Sequence, residues 1–137
     1  MKKYIFLVLS LCIVAFIWGN SLQDAPHSSI ESRWVLQWLM SVFSAVPGIE
    51  HLTMHMVRKM AHFTEYAALG FSLSATWFTL TGRQRMFIVL ILGCLIASID
   101  EGIQLFSPGR SSQISDVVLD TFGVWAGTWV MYGMRKL

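Results

Sequence analysis

At 137 residues, 55% hydrophobic and only 13% charged, the chain is far more apolar than a soluble domain, in which about a quarter of the residues carry charge. A dispersed net charge of +2 excludes the basic face on which nucleic-acid binding rests, so no nucleic-acid partner is expected. Cys12 and Cys94 both lie in apolar runs, where a free cysteine behaves as a small hydrophobe; neither a disulfide framework nor a cysteine zinc knuckle is indicated. The expectation is an all-α membrane protein, residues 1–137 forming one domain of four transmembrane helices and one interfacial amphipathic helix.

Lys2 and Lys3 precede an uncharged run from Tyr4 to Trp18. No convincing small-residue cleavage site follows, so the run reads as an uncleaved first span over about 4–20 rather than a signal peptide. Residues 20–57 are mixed. Between about 30 and 46, Trp34, Leu36, Trp38, Leu39, Val42 and Phe43 alternate with Glu31, Arg33, Gln37 and Ser41. That stretch is too polar and too short to cross a bilayer, and its aromatic residues suit the headgroup level, which predicts an interfacial helix capped by Ser28 or Ser29. Further spans are predicted over about 60–80, 86–106 and 114–134, each near the ~20 residues a crossing needs. They are separated by the loop around Arg83 and Arg85 and by the Pro108-Gly109 turn.

With the N-terminus inside, Lys2, Lys3, Arg83, Arg85, Arg135 and Lys136 all fall on the cytoplasmic side, six of the ten bases, as the positive-inside bias requires. Both termini are then cytoplasmic. All eight acids, Asp24, Glu31, Glu50, Glu65, Asp100, Glu101, Asp116 and Asp120, fall in the outer half, and the Lys/Arg bias does not account for that.

A shared polar pocket does. Arg58, His62, Glu65 and Tyr66 are three and four residues apart and lie on one helical face; Lys59 is beside them. Asp100, Glu101 and Gln104 close the third span, and Asp116 and Asp120, one turn apart, open the fourth. Arg110 sits in the connecting turn. Antiparallel spans with short loops pack as neighbours, so these groups converge at similar depth. Gly123 and Gly127 form a G-x-x-x-G on the face of Asp116 and Asp120, with Gly93 and Ala97 spaced likewise, and mark close helix approach. Arg58 and Lys59 could simply anchor a helix end, and the acids could be interhelical glue. Such contacts average only ~0.6 kcal/mol, a small gain for so many inward-facing carboxyls, and the site reading is preferred.

The series Arg58-Lys59-x-Ala61-His62-Phe63-x-Glu65-Tyr66, then Asp100-Glu101-x-x-Gln104-x-Phe106-x-Pro108-Gly109-Arg110, then Asp116-x-x-x-Asp120-x-x-Gly123-x-x-x-Gly127 resembles the VanZ-like family of small bacterial integral membrane proteins. The resemblance covers about residues 58–127, and Ser21-x-Gln23 is similar to the family's Ser-Gln pattern after the first helix. Two positions depart from that pattern: Asp120 is often Asn in relatives, and the double serine before Gln23 is broken as Asn20-Ser21-Leu22. The family takes its name from a member encoded with glycopeptide-resistance genes that lowers susceptibility to teicoplanin, a lipid-tailed glycopeptide. The resemblance therefore implies an outward-facing role in the bacterial cytoplasmic membrane, without a reaction.

Three function classes follow. In the first, an envelope protein binds a lipid headgroup or a lipid-linked cell-wall precursor. Arg58, Lys59 and Arg110 clamp its anionic group, Tyr66, Asp100, Gln104, Asp116 and Asp120 complete the pocket, and the interfacial helix forms a lid. In the second, an intramembrane enzyme acts on a lipid-linked substrate, with His62, Glu65 and Glu101 catalytic: His62 as acid or base, oriented by Glu65. Asp100, Glu101, Asp116 and Asp120 would hold a divalent cation, magnesium or manganese rather than zinc. The third is a proton- or ion-coupled transporter, ranked last because four spans are few and the inner half offers no polar route. A homo-oligomer paired through the glycine-rich face of the fourth span is compatible with all three.

Overall fold

The computed structural model describes residues 4–23, 25–109 and 113–135. Among these residues there are five α-helices and no strand: α1 (Ile5–Ser21), α2 (Ala25–Val42), α3 (Met54–Thr81), α4 (Met86–Gln104) and α5 (Ile114–Met134), with a short 3-10 turn at Ile49–His51 between α2 and α3. By length and composition α4 is the one described helix apolar enough to cross a membrane, and α1 is apolar but shorter. Arg58, Lys59 and Glu65 in α3, and Asp116 and Asp120 in α5, lower the mean hydropathy of those helices.

Three boundaries differ from expectation: α2 ends at Val42 rather than about 46, and the starts of α2 and α3 both come early. The amphipathic helix begins five residues earlier, at Ala25 rather than about 30, because Pro26 suits a first helical turn, where no backbone N–H is needed. Ser28 and Ser29 are consequently inside the helix, not caps; the Ser28 carbonyl accepts from the Ser32 hydroxyl at 2.9 Å. α3 starts at Met54 rather than about 60, because Thr53 caps it by accepting from the Met56 N–H at 3.2 Å. Arg58 and Lys59 therefore lie one turn inside a helix of 28 residues, about 42 Å long, rather than flanking its end. It stops at Gly82, whose φ of 71° is the left-handed cap that glycine adopts freely.

α3 is the central helix: α1, α2, α4 and α5 all pack on it. Its closest neighbour is α5, and the reason is the absence of side chains. A Cβ on Gly123 would come 2.6 Å from the Phe63 carbonyl oxygen, and a Cβ on Gly127 would run into the Ala67 carbonyl. From the other side, a Cβ on Gly70 would strike the Val124 backbone. α4 joins the pair where Gly93 accepts the Val124 side chain, to which a Cβ would come within 2.6 Å. The G-x-x-x-G face of α5 is thus filled by α3.

The buried core is a layer of Ile17, Tyr66, Leu69, Val89, Ala97 and Val124. Beyond it, away from the carboxylates, lies a hydroxyl cluster that sequence periodicity did not reveal. Ser10 Oγ is 2.7 Å from Ser72 Oγ and 3.2 Å from Thr76 Oγ1, and Ser72 also donates to the Phe6 carbonyl at 3.1 Å. The hydroxyls satisfy one another, which makes them a join between α1 and α3 in the part of the bundle expected to offer no polar route. The outward faces are apolar as well. Phe87, Ile91, Leu95 and Ile99 stand exposed along α4, and Phe122, Trp125 and Trp129 stack edge to face along α5 at 6.3 and 6.0 Å.

Because α3 and α5 touch backbone to backbone at Gly127, Gly127→Leu is expected to lower stability by about 3 kcal/mol or more, the upper range of overpacking costs. Gly133 has open space around its Cβ position, so Gly133→Ala is expected to be neutral or stabilising by up to ~1 kcal/mol. Thermal unfolding of the purified protein in detergent tests both; equal melting points for the two variants would mean that the glycine contact is not what closes the bundle.

Candidate functional site

Three helices bring their polar ends to one place. Helical spacing on α3 turns Arg58, His62, Glu65 and Tyr66 toward the bundle, the last turn of α4 supplies Asp100, Glu101 and Gln104, and the first two turns of α5 supply Asp116 and Asp120. A cavity of about 70 Å³ lies among them, lined by Arg58, Lys59 and His62 from α3, Glu101 and Gln104 from α4, and Asp116 and Asp120 from α5. That volume holds an ion with a few waters, or the polar tip of a larger molecule.

The acids are deeply enclosed: Asp100 is 0%, Asp120 1% and Glu101 4% exposed. Each has a different local role. Asp100 Oδ2 accepts from Gln104 Nε2 at 3.2 Å and lies 4.0 Å from His62 Nδ1. Glu101 accepts from the Gln113 backbone N–H at 2.9 Å, which ties the end of α4 to the start of α5. Asp116 pairs with Lys59 at 2.6 Å, both half-buried. Asp120 Oδ1 is enclosed and accepts no hydrogen bond from any described residue. His62, Asp100 and Asp120 each offer one atom to a group whose members lie within 4.8 Å of one another.

Not every expected residue lies in this chamber. Glu65 turns toward α1 and α2, where it accepts from Asn20 Nδ2 at 3.2 Å; Asp100, not Glu65, is the acid beside His62. Tyr66 is fully buried beneath the chamber, and its hydroxyl has no hydrogen-bond partner among the described residues. Of the four acids expected to share a cation, Asp100 and Asp120 meet around His62, whereas Glu101 and Asp116 are engaged elsewhere. Arg110 lies outside the described residues, as do Lys2, Lys3, Asp24 and Lys136.

A family model described as VanZ/LLP1 matches residues 6–135. The chain belongs to the VanZ-like family. No curated protein and no solved structure matches it. The family is associated with glycopeptide resistance, and its members are typically membrane-associated.

Within this VanZ-like chain a second, larger space adjoins the first. A groove of about 480 Å³ runs between α2 and α3, with Ser28, Val35 and Leu39 on one wall and Val57, Met60 and Ala61 on the other. Arg58 and His62 line both spaces, so those two side chains form the partition between them. Glu31 and Glu65 stand in the groove. Arg58 makes no ion pair with a described residue, whereas its neighbour Lys59 is held by Asp116.

Sequence reasoning named Gln104 as a pocket residue and Ser21 as part of a Ser-Gln pattern, and did not foresee the contacts that fasten α1 to the site. Ser107 Oγ donates to the Ser21 carbonyl at 2.7 Å, and Gln104 Nε2 reaches Ser21 Oγ at 3.4 Å. Asn20 holds Glu65. The available signals were the polar Asn20-Ser21 pair directly after an uncharged helix and the Ser21-x-Gln23 pattern, and nothing in their spacing names a partner on another helix.

The Lys59–Asp116 pair closes the chamber between α3 and α5, and its two side chains are 30% and 25% exposed. A double-mutant cycle on Lys59→Met and Asp116→Asn is expected to give a coupling of about 1 kcal/mol, at or slightly above the range for surface pairs. Unfolding of the four proteins measures it; a coupling indistinguishable from zero would make the pair incidental.

Proposed function

We propose that the chain is a four-span membrane protein of the bacterial cytoplasmic membrane, with α1, α3, α4 and α5 crossing, α2 at the outer interface and both termini cytoplasmic. Its outer chamber binds the anionic headgroup of a membrane lipid or of a lipid-linked cell-wall precursor. Three things support the crossing of helices other than α4: the exposed apolar faces of α4 and α5, the placement of Arg83, Arg85 and Arg135 at the end opposite the carboxylates, and helix lengths of 17 to 28 residues, near the ~20 of a span. Capture of such a precursor gives an envelope protein a route to altered susceptibility toward a lipid-tailed glycopeptide such as teicoplanin.

The observation that carries the ligand reading is the shared wall. Arg58 and His62 face a small polar chamber on one side and a long, largely apolar groove on the other. A molecule with a charged head and an apolar tail needs two such spaces side by side, and Arg58, which makes no ion pair with a described residue, stands where head meets tail. Arginine suits that place because its planar fork binds phosphate through two parallel hydrogen bonds.

A second reading, an intramembrane acid/base enzyme on a lipid-linked substrate, is favoured by His62 Nδ1 lying 4.0 Å from Asp100 Oδ2, an arrangement that orients an imidazole for proton transfer. The transporter has less support: buried hydroxyls do exist below the site, but Tyr66, Leu69, Ile17 and Val124 lie between them and the chamber.

Arg58→Gln is expected to reduce retention of anionic lipid about tenfold, the equivalent of one charge-assisted hydrogen bond, with the melting point little changed. Native mass spectrometry of protein released from mixed anionic and zwitterionic bilayers reads it. Equal retention of the two lipid classes by the unaltered protein would overturn the headgroup reading. The topology is checked by single cysteines on a background lacking Cys12 and Cys94: Glu50→Cys should react with an impermeant maleimide on intact cells, and Arg83→Cys only after permeabilisation.

A further inference from the structure

The groove under α2 has a counterpart on the other side of α3. A second apolar space, of about 370 Å³, lies between α3 and α5, where Met56, Met60, Phe63 and Thr64 face Leu119. Both spaces fall in the size range of ligand sites. Helical geometry sets how the two are related. At about 100° per residue, Met60 and Thr64 share one outward strip of α3, with Val57 and Ala61 turned to one side of it and Met56 and Phe63 to the other. Met60 and Thr64 line both grooves. They are therefore the ridge that divides two apolar channels lying at the same level of the bundle.

We infer that the ligand is a two-chain glycerophospholipid, one molecule of which straddles the Met60–Thr64 ridge with a chain in each groove and its phosphate on the Arg58 side. The two grooves differ in what they offer a charged head. Arg58 and His62 line both the groove under α2 and the polar chamber. The base that lines the second groove is Lys59, and it is already engaged by Asp116 at 2.6 Å. The second groove thus suits an apolar chain, while the anionic head stays with Arg58. Two chain positions and one head position are the outline of a single lipid whose chains leave neighbouring carbons of one glycerol. A single polyprenyl chain would fill one groove and have no use for the other. Two single-chain molecules would set the second head against a lysine that a carboxylate already neutralises. The linings fit as well: Met56 and Met60 are unbranched and adaptable, which suits chains that vary in length and unsaturation. This inference rests on the headgroup reading and chooses within it, a membrane glycerophospholipid over a polyprenyl-linked precursor.

The test offers the full chain in detergent either phosphatidylglycerol, with two chains, or lyso-phosphatidylglycerol, with one, and reads retention by native mass spectrometry. Head and charge are the same, so the second chain is what differs. The two-chain form is expected to be retained about tenfold better, since each carbon–carbon contact in a groove adds little and many are made together. Met56 is 49% exposed and lines the second groove but neither the chamber nor the groove under α2. Met56→Trp should therefore lower two-chain retention to the one-chain level and leave one-chain retention unchanged. Val35→Trp, in the groove under α2, should lower both. If Met56→Trp fails to fold, the two lipids on the unaltered protein decide. Equal retention of the two forms, two-chain retention untouched by Met56→Trp, or a polyprenyl phosphate retained in preference to phosphatidylglycerol overturns the two-chain ligand and leaves the headgroup reading standing. Phosphatidylcholine with the same chains separates the two readings. Its retention on a par with phosphatidylglycerol, with the one-chain form still weak, overturns the headgroup reading and supports the straddled ridge.

Discussion

Everything at the site depends on how closely α3 and α5 can run together. Side-chain-free surfaces at Gly70, Gly123 and Gly127 let one backbone lie on the other, and the register of that contact sets which residues meet one turn further on. Phe63 and Ala67 touch the glycines, so His62 and Tyr66, on the adjoining strip of α3, are carried up against Asp120, which precedes Gly123 by three residues. A wider separation, with ordinary side chains in the seam, would move Asp120 away from His62 and leave two carboxylates and an imidazole solvated separately. Small residues here do more than permit association; they set the distance between donors.

The same contact explains why the polar chamber does not extend down the bundle. Val124 fills the space that Gly93 leaves open, and with Ile17, Leu69 and Ala97 it forms a continuous apolar floor. Polar groups above that floor engage each other across helices, and the hydroxyls below it, Ser10, Ser72 and Thr76, form a self-contained group. The dry layer lowers the effective dielectric around Asp100 and Asp120, which strengthens every electrostatic contact these carboxylates make.

Much of this was legible beforehand, and the parts that were not share a cause. Apolar runs and turn signals placed α1, α4 and α5 within two residues at each end, because hydrophobic patterning follows directly from what a helix must bury. The start of α3 was missed because polar residues from Thr53 to Lys59 look like loop to any hydropathy argument, whereas Thr53 capping and one more turn of helix satisfy their backbone. For the candidate site, helical spacing correctly grouped residues within a helix and could not rank pairings between helices. It gave Glu65 to His62, since both are on α3, but Asn20 and Asp100 divide them. It likewise gave Glu101 and Asp116 to a common cation, and each has a nearer partner in Gln113 and Lys59. Pairings of that kind are decided by helix rotation and loop length, which sequence spacing does not encode.

Arg58 and Lys59 make the last step clear, because adjacent residues on a helix point about 100° apart and must do different work. Lys59 turns toward α5 and is neutralised by Asp116. Arg58 turns toward the wall between chamber and groove and keeps its charge available. A chain that needed only a positive helix end would gain nothing from separating the two bases in this way. One base that closes the seam while its neighbour faces two joined spaces is the arrangement expected if the opening under α2, rather than the gap between α3 and α5, is where a ligand's charged end enters. On the proposed headgroup reading, Lys59 and Asp116 hold the far side shut while Arg58 and His62, which line both spaces, meet the incoming group.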